Sequence, residues 1–180
     1  ILEGEIHGRV YLSNTKIYGL KGYVYVNDGG VLEVQKGTIV VGDTPGENSA
    51  IIINRGGKII AEGTAQDPII FTSRAAPGQR ARGDWGGILI CGKARINAPA
   101  GQQSLEGGVA DQTAGGKGWY GGTDDDDSSG VLRYVRIEFA GIATQPNSEL
   151  NSLTMGGVGR RTVLDHIQVS YGNDDGFEWF

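Results

Sequence analysis

The stretch YVYVNDGGVLEVQKG, residues 23–37, is repeated in outline as AIIINRGGKIIAEG, residues 50–63. In both, a run of strand-forming residues is followed by asparagine, one charged residue, two glycines and a second strand-forming run. The asparagines, Asn27 and Asn54, are 27 residues apart (54 − 27 = 27). A fixed period of short strands and tight turns is typical of solenoids, in which each coil buries its apolar side chains against the next coil.

The rest of the chain continues this pattern and predicts an all-β fold with about four coils of three short strands. No long segment has apolar residues at helical spacing. The expected strands are 23–26, 31–34 and 38–41 in coil one; 50–53, 58–61 and 69–72 in coil two; 87–91, a weak 94–97 and 131–139 in coil three; and 151–155, a weak turn near 158–161 and 163–171 in coil four. An antiparallel sandwich would not explain why the turn residues return in register, so we expect a parallel β-helix.

A second internal match supports the stacking of neighbouring coils. LRYVRIEFAG, residues 132–141, matches LDHIQVSYGN, residues 164–173, at an offset of 32 (164 − 132 = 32). Because side chains alternate along a strand, inward residues should form stacked ladders. The expected inward pairs are Val135 over Ile167, Ile137 over Val169 and Phe139 over Tyr171. Arg133 over Asp165 should form an outward pair of opposite charges.

The composition excludes several classes of partner and site. The net charge of −5 argues against nucleic acid, because phosphate binding needs a basic face. No apolar run approaches the roughly 20 residues of a membrane span. Cys91 is the one cysteine, and its apolar neighbours favour a buried, unreactive thiol. His7 and His166 are isolated and indicate neither a zinc site nor a catalytic triad, and His166 should point outward beside Tyr134. We expect no catalytic residues and no required cofactor.

Two acidic turns are candidates for calcium binding. They contain Asp124, Asp125, Asp126 and Asp127 in the first turn and Asp174 and Asp175 in the second. Adjacent carboxylates repel one another unless they are solvated or bound to a cation, and Ca²⁺ accepts about six to eight oxygen ligands. The EF-hand spacing is missing, so solvated acidic turns are the alternative. We expect the two turns to lie near each other on one side of the solenoid.

Three segments depart from the coil pattern. Residues 1–16 are expected to form an N-terminal cap or an exchanged strand, and residues 17–180 the β-helix, with excursions near 74–85 and 98–130. The longer excursion contains Trp119 and Tyr120, which are candidates for ligand binding. Plain covering of the solenoid wall is the alternative role for this excursion.

Two apolar features are candidates for assembly contacts. The first is an outward ladder formed by Tyr25, Ile52 and Leu89. Such a ladder needs a cover, which the excursion, the N-terminal segment or a partner could supply. The second is the opening of a fifth coil by Phe177, Trp179 and Phe180. An open solenoid end exposes core side chains and unpaired strand edges.

Several stretches carry a family resemblance: GGKIIAEGTAQDPIIFTS (56–73), GDWGGILICGKARIN (83–97), YGGTDDDDSSGVLRYVRIEFAGI (120–142), NSLTMGGVG (151–159) and TVLDHIQVSYGNDDGFEWF (162–180). They resemble secreted bacterial right-handed parallel β-helix surface proteins. This family is abundant in Bacteroidetes, and its members are often lipoproteins or cargo of type IX secretion. The resemblance implies a right-handed coil and an extracellular or cell-surface location, and it brings no established enzymatic activity.

The sequence therefore predicts a non-catalytic extracellular structural protein that assembles end to end into a filament or surface layer. Its expected partners are further copies of the same chain. The alternative is a carbohydrate-binding or polysaccharide-degrading β-helix, in which the acidic turns, Trp119 and Tyr120 line a groove.

Overall fold

The computed structural model describes residues 1–42, 48–145 and 148–180. The strands are β1 (Leu2–Ile6), β2 (Arg9–Leu12), β3 (Ile17–Val26), β4 (Val31–Val34), β5 (Ile39–Gly42), β6 (Ala50–Ile53), β7 (Lys58–Glu62), β8 (Ile69–Ser73), β9 (Ile88–Cys91), β10 (Gln103–Ser104), β11 (Trp119–Tyr120), β12 (Gly130–Glu138), β13 (Ala143–Gln145), β14 (Ser148–Glu149), β15 (Leu153–Gly156), β16 (Val163–Ser170) and β17 (Phe177–Trp179). None of the described segments forms a helix that is long and apolar enough to cross a membrane.

Thirteen of these strands wind into a coil with three walls, and they pair in parallel throughout. Wall A contains β1, the second half of β3, β6, β9, β15 and β17. Wall B contains β2, β4, β7 and the first halves of β12 and β16. Wall C contains the first part of β3, β5, β8 and the second halves of β12 and β16. This arrangement confirms the predicted right-handed parallel β-helix.

The repeated Asn-x-Gly-Gly turn forms the corner between walls A and B. The side-chain amide of Asn54 donates to the Asn27 side-chain oxygen at 2.7 Å, so the asparagines lie in one column as predicted. Gly56 has a φ of +83°, a left-handed conformation that glycine adopts without steric cost. A Cβ on Gly57 would lie 2.2 Å from the carbonyl oxygen of Val26 in the coil below. The first glycine is therefore required by the backbone direction and the second by the close approach of two coils.

Inward positions of neighbouring coils form continuous apolar columns. One column of wall A runs through Val24, Ile51, Ile88, Leu153 and Phe177, and the next runs through Val26, Ile53, Ile90, Met155 and Trp179. Their members in the middle coils are fully buried. Each such aliphatic side chain contributes about 1.5–3 kcal/mol by leaving water. The columns therefore stabilise the contact between neighbouring coils and also fix the register in which the coils stack.

Two parts of the coil differ from the expected elements: residues 1–19 and the coil that contains β9. Residues 1–19 form a complete turn of their own, since β1 pairs with β3 and β2 pairs with β4. The described chain thus has one coil more than predicted. The weak strand expected at 94–97 is wrong, because no strand forms there. Wall B of that coil, the fourth when residues 1–19 are counted as the first, is supplied instead by the first half of β12, after the long excursion has returned to the coil.

Left-handed residues set both corners of wall C in the last two coils. Tyr134 and His166 have φ values of +48° and +51°, and Phe139 and Tyr171 have values of +61° and +56°. Each one interrupts the in-and-out alternation of the strand. The prediction that Phe139 and Tyr171 point inward is therefore wrong: their rings stack at the surface, 4.9 Å apart, with Tyr171 63% exposed. The other expected pairs are in register, namely Val135 with Ile167, Ile137 with Val169 and Arg133 with Asp165.

The short excursion near 74–85 is fixed to the coil by buried contacts. Trp85 is fully buried, and its Nε1 donates to the carbonyl oxygen of Glu138 at 2.8 Å. The buried carboxylate of Asp84 accepts hydrogen bonds from the Ser73 hydroxyl and from the backbone N–H of Ala81. This loop therefore closes the passage from β8 in wall C to β9 in wall A of the next coil.

A core truncation tests the columns. We expect Ile53→Ala to lower the free energy of unfolding by about 2–5 kcal/mol, because it opens a cavity in a fully buried column. Ile17→Ala is the matched control, since Ile17 is 67% exposed and should change stability by less than about 0.5 kcal/mol. Urea unfolding followed by circular dichroism measures both, and equal losses would contradict the assignment of the core.

Candidate functional site

The outward apolar ladder of wall A is covered by the chain itself. Tyr25, Ile52 and Leu89 lie opposite one another in β3, β6 and β9, as predicted. Ile52 and Leu89 are at most 1% exposed, because Leu105 and Val109 of the long excursion pack on them. The ladder is therefore a second, smaller core between the coil and the excursion, and this surface is closed to a partner.

Polar contacts at the wall A–wall B corner hold the excursion in place. The Tyr25 hydroxyl donates to the Val109 carbonyl oxygen at 2.8 Å, and the Gly118 backbone N–H donates to the Asn54 side chain at 2.8 Å. The Arg55 guanidinium donates to the Gly115 carbonyl oxygen at 2.9 Å. The repeated turn thus serves both the coil corner and the cover of wall A.

The two aromatic residues expected to bind a ligand lie within this cover. Tyr120 is 1% exposed, and its ring stacks on Phe180 at 5.7 Å. Burial, together with the nearby Cys91, raises the pKa of Tyr120 to about 12. The Trp119 indole donates to the carbonyl oxygen of Asp111 at 2.9 Å. The packing of Tyr120 also partly covers Phe180. Ligand binding by Trp119 and Tyr120 stays a prediction.

The first acidic turn faces arginines. The Asp125 carboxylate accepts hydrogen bonds from the backbone N–H of Arg95 at 3.0 Å and from its guanidinium at 2.9 Å. These bonds lower the pKa of Asp125 from 3.8 to about 2. Arg160 lies 3.3 Å from the carboxylate of Asp126. Arginine side chains from two other segments thus neutralise these carboxylates, as a bound cation would.

The other two carboxylates of this turn accept hydrogen bonds from the backbone. Asp127 accepts from the N–H of Lys93 at 2.8 Å, and Asp124 accepts from the N–H of Asp126 at 3.1 Å. Within the part of the chain that the structure describes, no three His, Cys, Asp or Glu side chains are arranged to hold a metal ion. Calcium binding by Asp124 to Asp127 stays a prediction.

The second acidic turn belongs to a different cluster of carboxylates. Asp174 and Asp175 lie near Glu106 and Glu178, and Glu149 acts on Glu106. Burial is the main cause that raises the pKa of both Glu106 and Glu178, and the neighbouring negative charges add to it. Glu106, Glu149 and Glu178 come from distant parts of the sequence, and no sequence pattern predicted that they lie close together. Among the described residues, the two acidic turns have no hydrogen-bond or ion-pair partner in common, and their proximity stays a prediction.

The outer face of wall C is partly exposed in the last two coils, and the Arg80 guanidinium lies 5.9 Å from the centre of the Phe139 ring at one end of it. We call it the wall C strip; its outward side chains are Tyr134, Arg136, Glu138 and Phe139 on β12 and the following turn, and His166, Gln168, Ser170 and Tyr171 above them. At one end of the strip lies a groove of about 230 Å³, lined by Thr64, Pro68, Tyr134, Arg136, His166 and Gln168. The 32-residue repeat predicted that these residues lie above one another, but not that they would line a groove.

A second open surface is the end face of the solenoid. We define it by the apolar groove of about 410 Å³ that is lined by Leu153, Met155, Leu164, Ile167, Phe177 and Trp179, with Asp165 at its edge. Phe177 is 41% exposed and Trp179 is 71% exposed, although both occupy inward positions of wall A. Phe180 is 47% exposed. The predicted assembly residues of β17 are therefore accessible, whereas those of the covered ladder are not.

The hydrogen bond that holds the long excursion on wall A can be tested by removing the Tyr25 hydroxyl. Tyr25→Phe should weaken the docking of residues 98–120 by about 0.5–1.5 kcal/mol, because the Val109 carbonyl loses its hydrogen bond. Hydrogen exchange in the excursion should then be about fivefold faster. Tyr11→Phe is the control, since Tyr11 is 53% exposed and its hydroxyl has no hydrogen bond to the described residues. Unchanged exchange in Tyr25→Phe would show that this bond does not hold the loop.

Acid titration tests the Asp125–Arg95 pair. Because the pKa of Asp125 is lower in the folded protein, the pair stabilises the fold above pH 3.8, and this contribution is lost as the pH falls through about 2. Asp125→Asn should therefore lower the melting temperature at pH 5, and the difference from wild type should shrink steadily as the pH falls from 3.8 towards 2. Asp28→Asn is the control, since the Asp28 side chain is 81% exposed and lies 3.7 Å from Lys93. A difference as large at pH 2 as at pH 5 would contradict the assignment.

Comparison with known proteins gives one match. A family model described as the pectate-lyase like beta helix domain matches residues 4–180. No curated protein and no solved structure matches the chain significantly. The family match covers all of the coils except the first three residues of the chain, and it agrees with the three-walled architecture. The chain belongs to the pectate-lyase-like beta-helix domain family.

Proposed function

We propose that the protein is a non-catalytic, extracellular structural subunit that assembles with copies of itself through the end face. The observation that carries this proposal is the exposure of Phe177 and Trp179, which continue two apolar core columns. Side chains at such positions are normally covered by a further coil or by a cap. Beside them, the outer edges of β16 and β17 have no partner strand among the described residues. Exposed strand edges favour pairing with another chain.

The first coil of a second copy supplies matching chemistry. In wall A its inward positions are Gly4 and Ile6, which start the two columns that end at Phe177 and Trp179. A Cβ on Gly4 would meet no atom within 4 Å, so this position leaves room for a large ring in the adjoining copy. Because strands of successive coils run parallel, a second copy can add to β17 without reversing direction. Wall A extends one strand beyond the other walls and makes the first contact.

The charges at this contact are compatible with stacking. Glu178 is the outward residue of β17, and the corresponding outward residue of β1 is Glu5. Glu5 is already paired with Lys117, at 3.1 Å. A stacked copy would therefore bring an ion pair, not a lone carboxylate, towards Glu178. Repeated contact of this head-to-tail type builds an open filament.

A charge placed on the end face tests self-association. Wild-type protein should form species larger than the 19.0 kDa monomer as its concentration rises, and Trp179→Glu should remain monomeric. Tyr171→Glu is the matched control, because Tyr171 is an equally exposed aromatic residue on the side of the coil and should still assemble. Light scattering after gel filtration measures the mass. A strictly monomeric wild type would refute the proposal, and so would equal loss of assembly in both variants.

Cysteine cross-linking tests the end-to-end arrangement. Opposed residues on paired strands lie within the roughly 4.4–6.8 Å between Cα atoms that a disulfide requires. A mixture of Glu5→Cys and Glu178→Cys chains should therefore form a disulfide between the two variants. Cys91 is fully buried and should not compete. Cross-linking of Glu178→Cys with itself in place of the mixed product would establish tail-to-tail contact and contradict the end-to-end arrangement.

Saccharide binding is a second candidate function. It is favoured by the wall C strip, where aromatic rings and polar side chains share an accessible surface. The match to a pectate-lyase-like domain supports a polysaccharide as the ligand. A panel of soluble polysaccharides, titrated by calorimetry, tests this candidate, and the absence of binding to every member would exclude it.

A further inference from the structure

Five carboxylates lie together at one edge of the end face. We call them the end-face acids; they are Glu106 in the long excursion, Glu149 on β14, Asp174 and Asp175 in the last turn, and Glu178 on β17. The negative charges of Glu106, Asp174 and Asp175 act on Glu178, and those of Glu149 and Asp174 act on Glu106. Three separate segments of the chain therefore bring acids to the strand on which a second copy would stack.

The end-face acids have no balancing cation among the described residues. None of the five forms an ion pair with a described lysine, arginine or histidine, whereas the first acidic turn faces Arg95 and Arg160. The side-chain amide of the buried Asn151 donates to the Glu178 carboxylate, and the Asn151 oxygen accepts from the backbone N–H of Asp175 at 3.0 Å. An amide holds the carboxylate of Glu178 in place but does not neutralise its charge.

Two of these acids hold a proton more tightly than an ordinary glutamate. Burial, and then the neighbouring negative charges, raise the pKa of Glu106 and of Glu178 above 4.5, while the bond from Asn151 acts against this at Glu178. Tyr120 lies close to both and has a pKa of about 12, so it stays neutral in the same range. The repulsion within the group is therefore absent in acid and grows as the pH rises above 4.5.

Glu178 is the member of the group that reaches the end-to-end contact. The outward column of wall A begins at Glu5 and ends at Glu178, so stacking places Glu5 of a second copy over Glu178. Hydrogen bonds from Lys117 and Asn27 lower the pKa of Glu5, and His7 Nε2 lies 3.3 Å from its carboxylate. Glu5 is thus balanced within its own copy, and the unbalanced charge at the contact is that of Glu178 and its neighbours.

We propose that acid promotes the end-to-end assembly: a second copy stacks on β17 when Glu178 is neutral, and the ionised end-face acids oppose this contact. The inference rests on the proposed self-assembly and names its regulation. A protonated Glu178 can donate its O–H to the ionised Glu5 carboxylate of the second copy, a charge-assisted hydrogen bond. One proton is then taken up from solvent at each contact. When this proton is released at higher pH, two carboxylates face each other.

The test compares assembly at pH 5 and pH 7.5. Wild-type protein should associate about tenfold more tightly at pH 5, the effect of removing one repulsion between like charges at a partly exposed contact. Glu178→Gln should associate at pH 7.5 as tightly as wild type does at pH 5, because its amide is neutral at both. Glu62→Gln is the matched control: it removes an exposed carboxylate on the wall B side and should keep the wild-type pH dependence. Sedimentation equilibrium at several concentrations measures all three.

A second pair of variants separates this contact from the loss of net charge. The isoelectric point of the chain is about 5.0, so repulsion between whole molecules also falls at pH 5. Trp179→Glu and Tyr171→Glu add the same charge, one on the end face and one on the side of the coil. At pH 5, Trp179→Glu should remain monomeric and Tyr171→Glu should assemble.

The outcomes separate the regulation from the assembly itself. If wild type is monomeric at both pH values, self-assembly and its regulation are both wrong. If wild type assembles equally at both, or if Glu178→Gln keeps the wild-type pH dependence, self-assembly stands and this regulation is wrong. Loss of the pH dependence in Glu62→Gln would likewise refute the role of Glu178. If Trp179→Glu assembles at pH 5 as wild type does, the contact formed in acid does not use the end face.

Discussion

Every coil of this protein is held by the parallel stacking of identical positions, one above another. This constraint links the backbone and the core, because a residue that points inward must meet inward residues of the coils above and below it. Asn27 over Asn54 and Val24 over Ile51 are consequences of the same register. The same constraint explains why core side chains are exposed at the end face. Phe177 occupies a core position, but it has a described neighbour on one side only, Leu153.

Stacking alone leaves the outer faces of the walls exposed, and the chain treats these faces differently. Wall A carries an apolar outer ladder, which the long excursion covers with Leu105 and Val109. The cover is fixed through Asn54 and Arg55, which belong to the repeated corner turn. Among the described residues, no apolar segment covers wall C in its last two coils, although the Arg80 guanidinium lies over the Phe139 ring. The outer face of wall C is polar and aromatic there. The surface available to a ligand is therefore decided by where the excursion lies, not by the coil itself.

The repeated stretches predicted the fold because they show register directly. Offsets of 27 and 32 residues place the members of each column above one another, and the charge pair of Arg133 with Asp165 follows from them. The failures have physical causes. Strict alternation could not indicate the outward turn of Phe139, because a left-handed tyrosine or phenylalanine has no sequence signature comparable to glycine. Glu106 lies near Glu178 because the long excursion folds back onto the coil. The sequence of this excursion has no repeat from which its path could be predicted.

The left-handed rings also bear on which surface carries function. A side chain in this conformation costs roughly 1–2 kcal/mol, and a stacked aromatic pair contributes about 0.5–1.5 kcal/mol. Stacking therefore offsets only part of the cost of placing two such residues in each pair. Glycine would turn the same corners with less strain, and the repeated corner between walls A and B uses it in this conformation, at Gly56. The stability of the coil alone therefore does not explain the large rings at both corners of wall C in the last two coils.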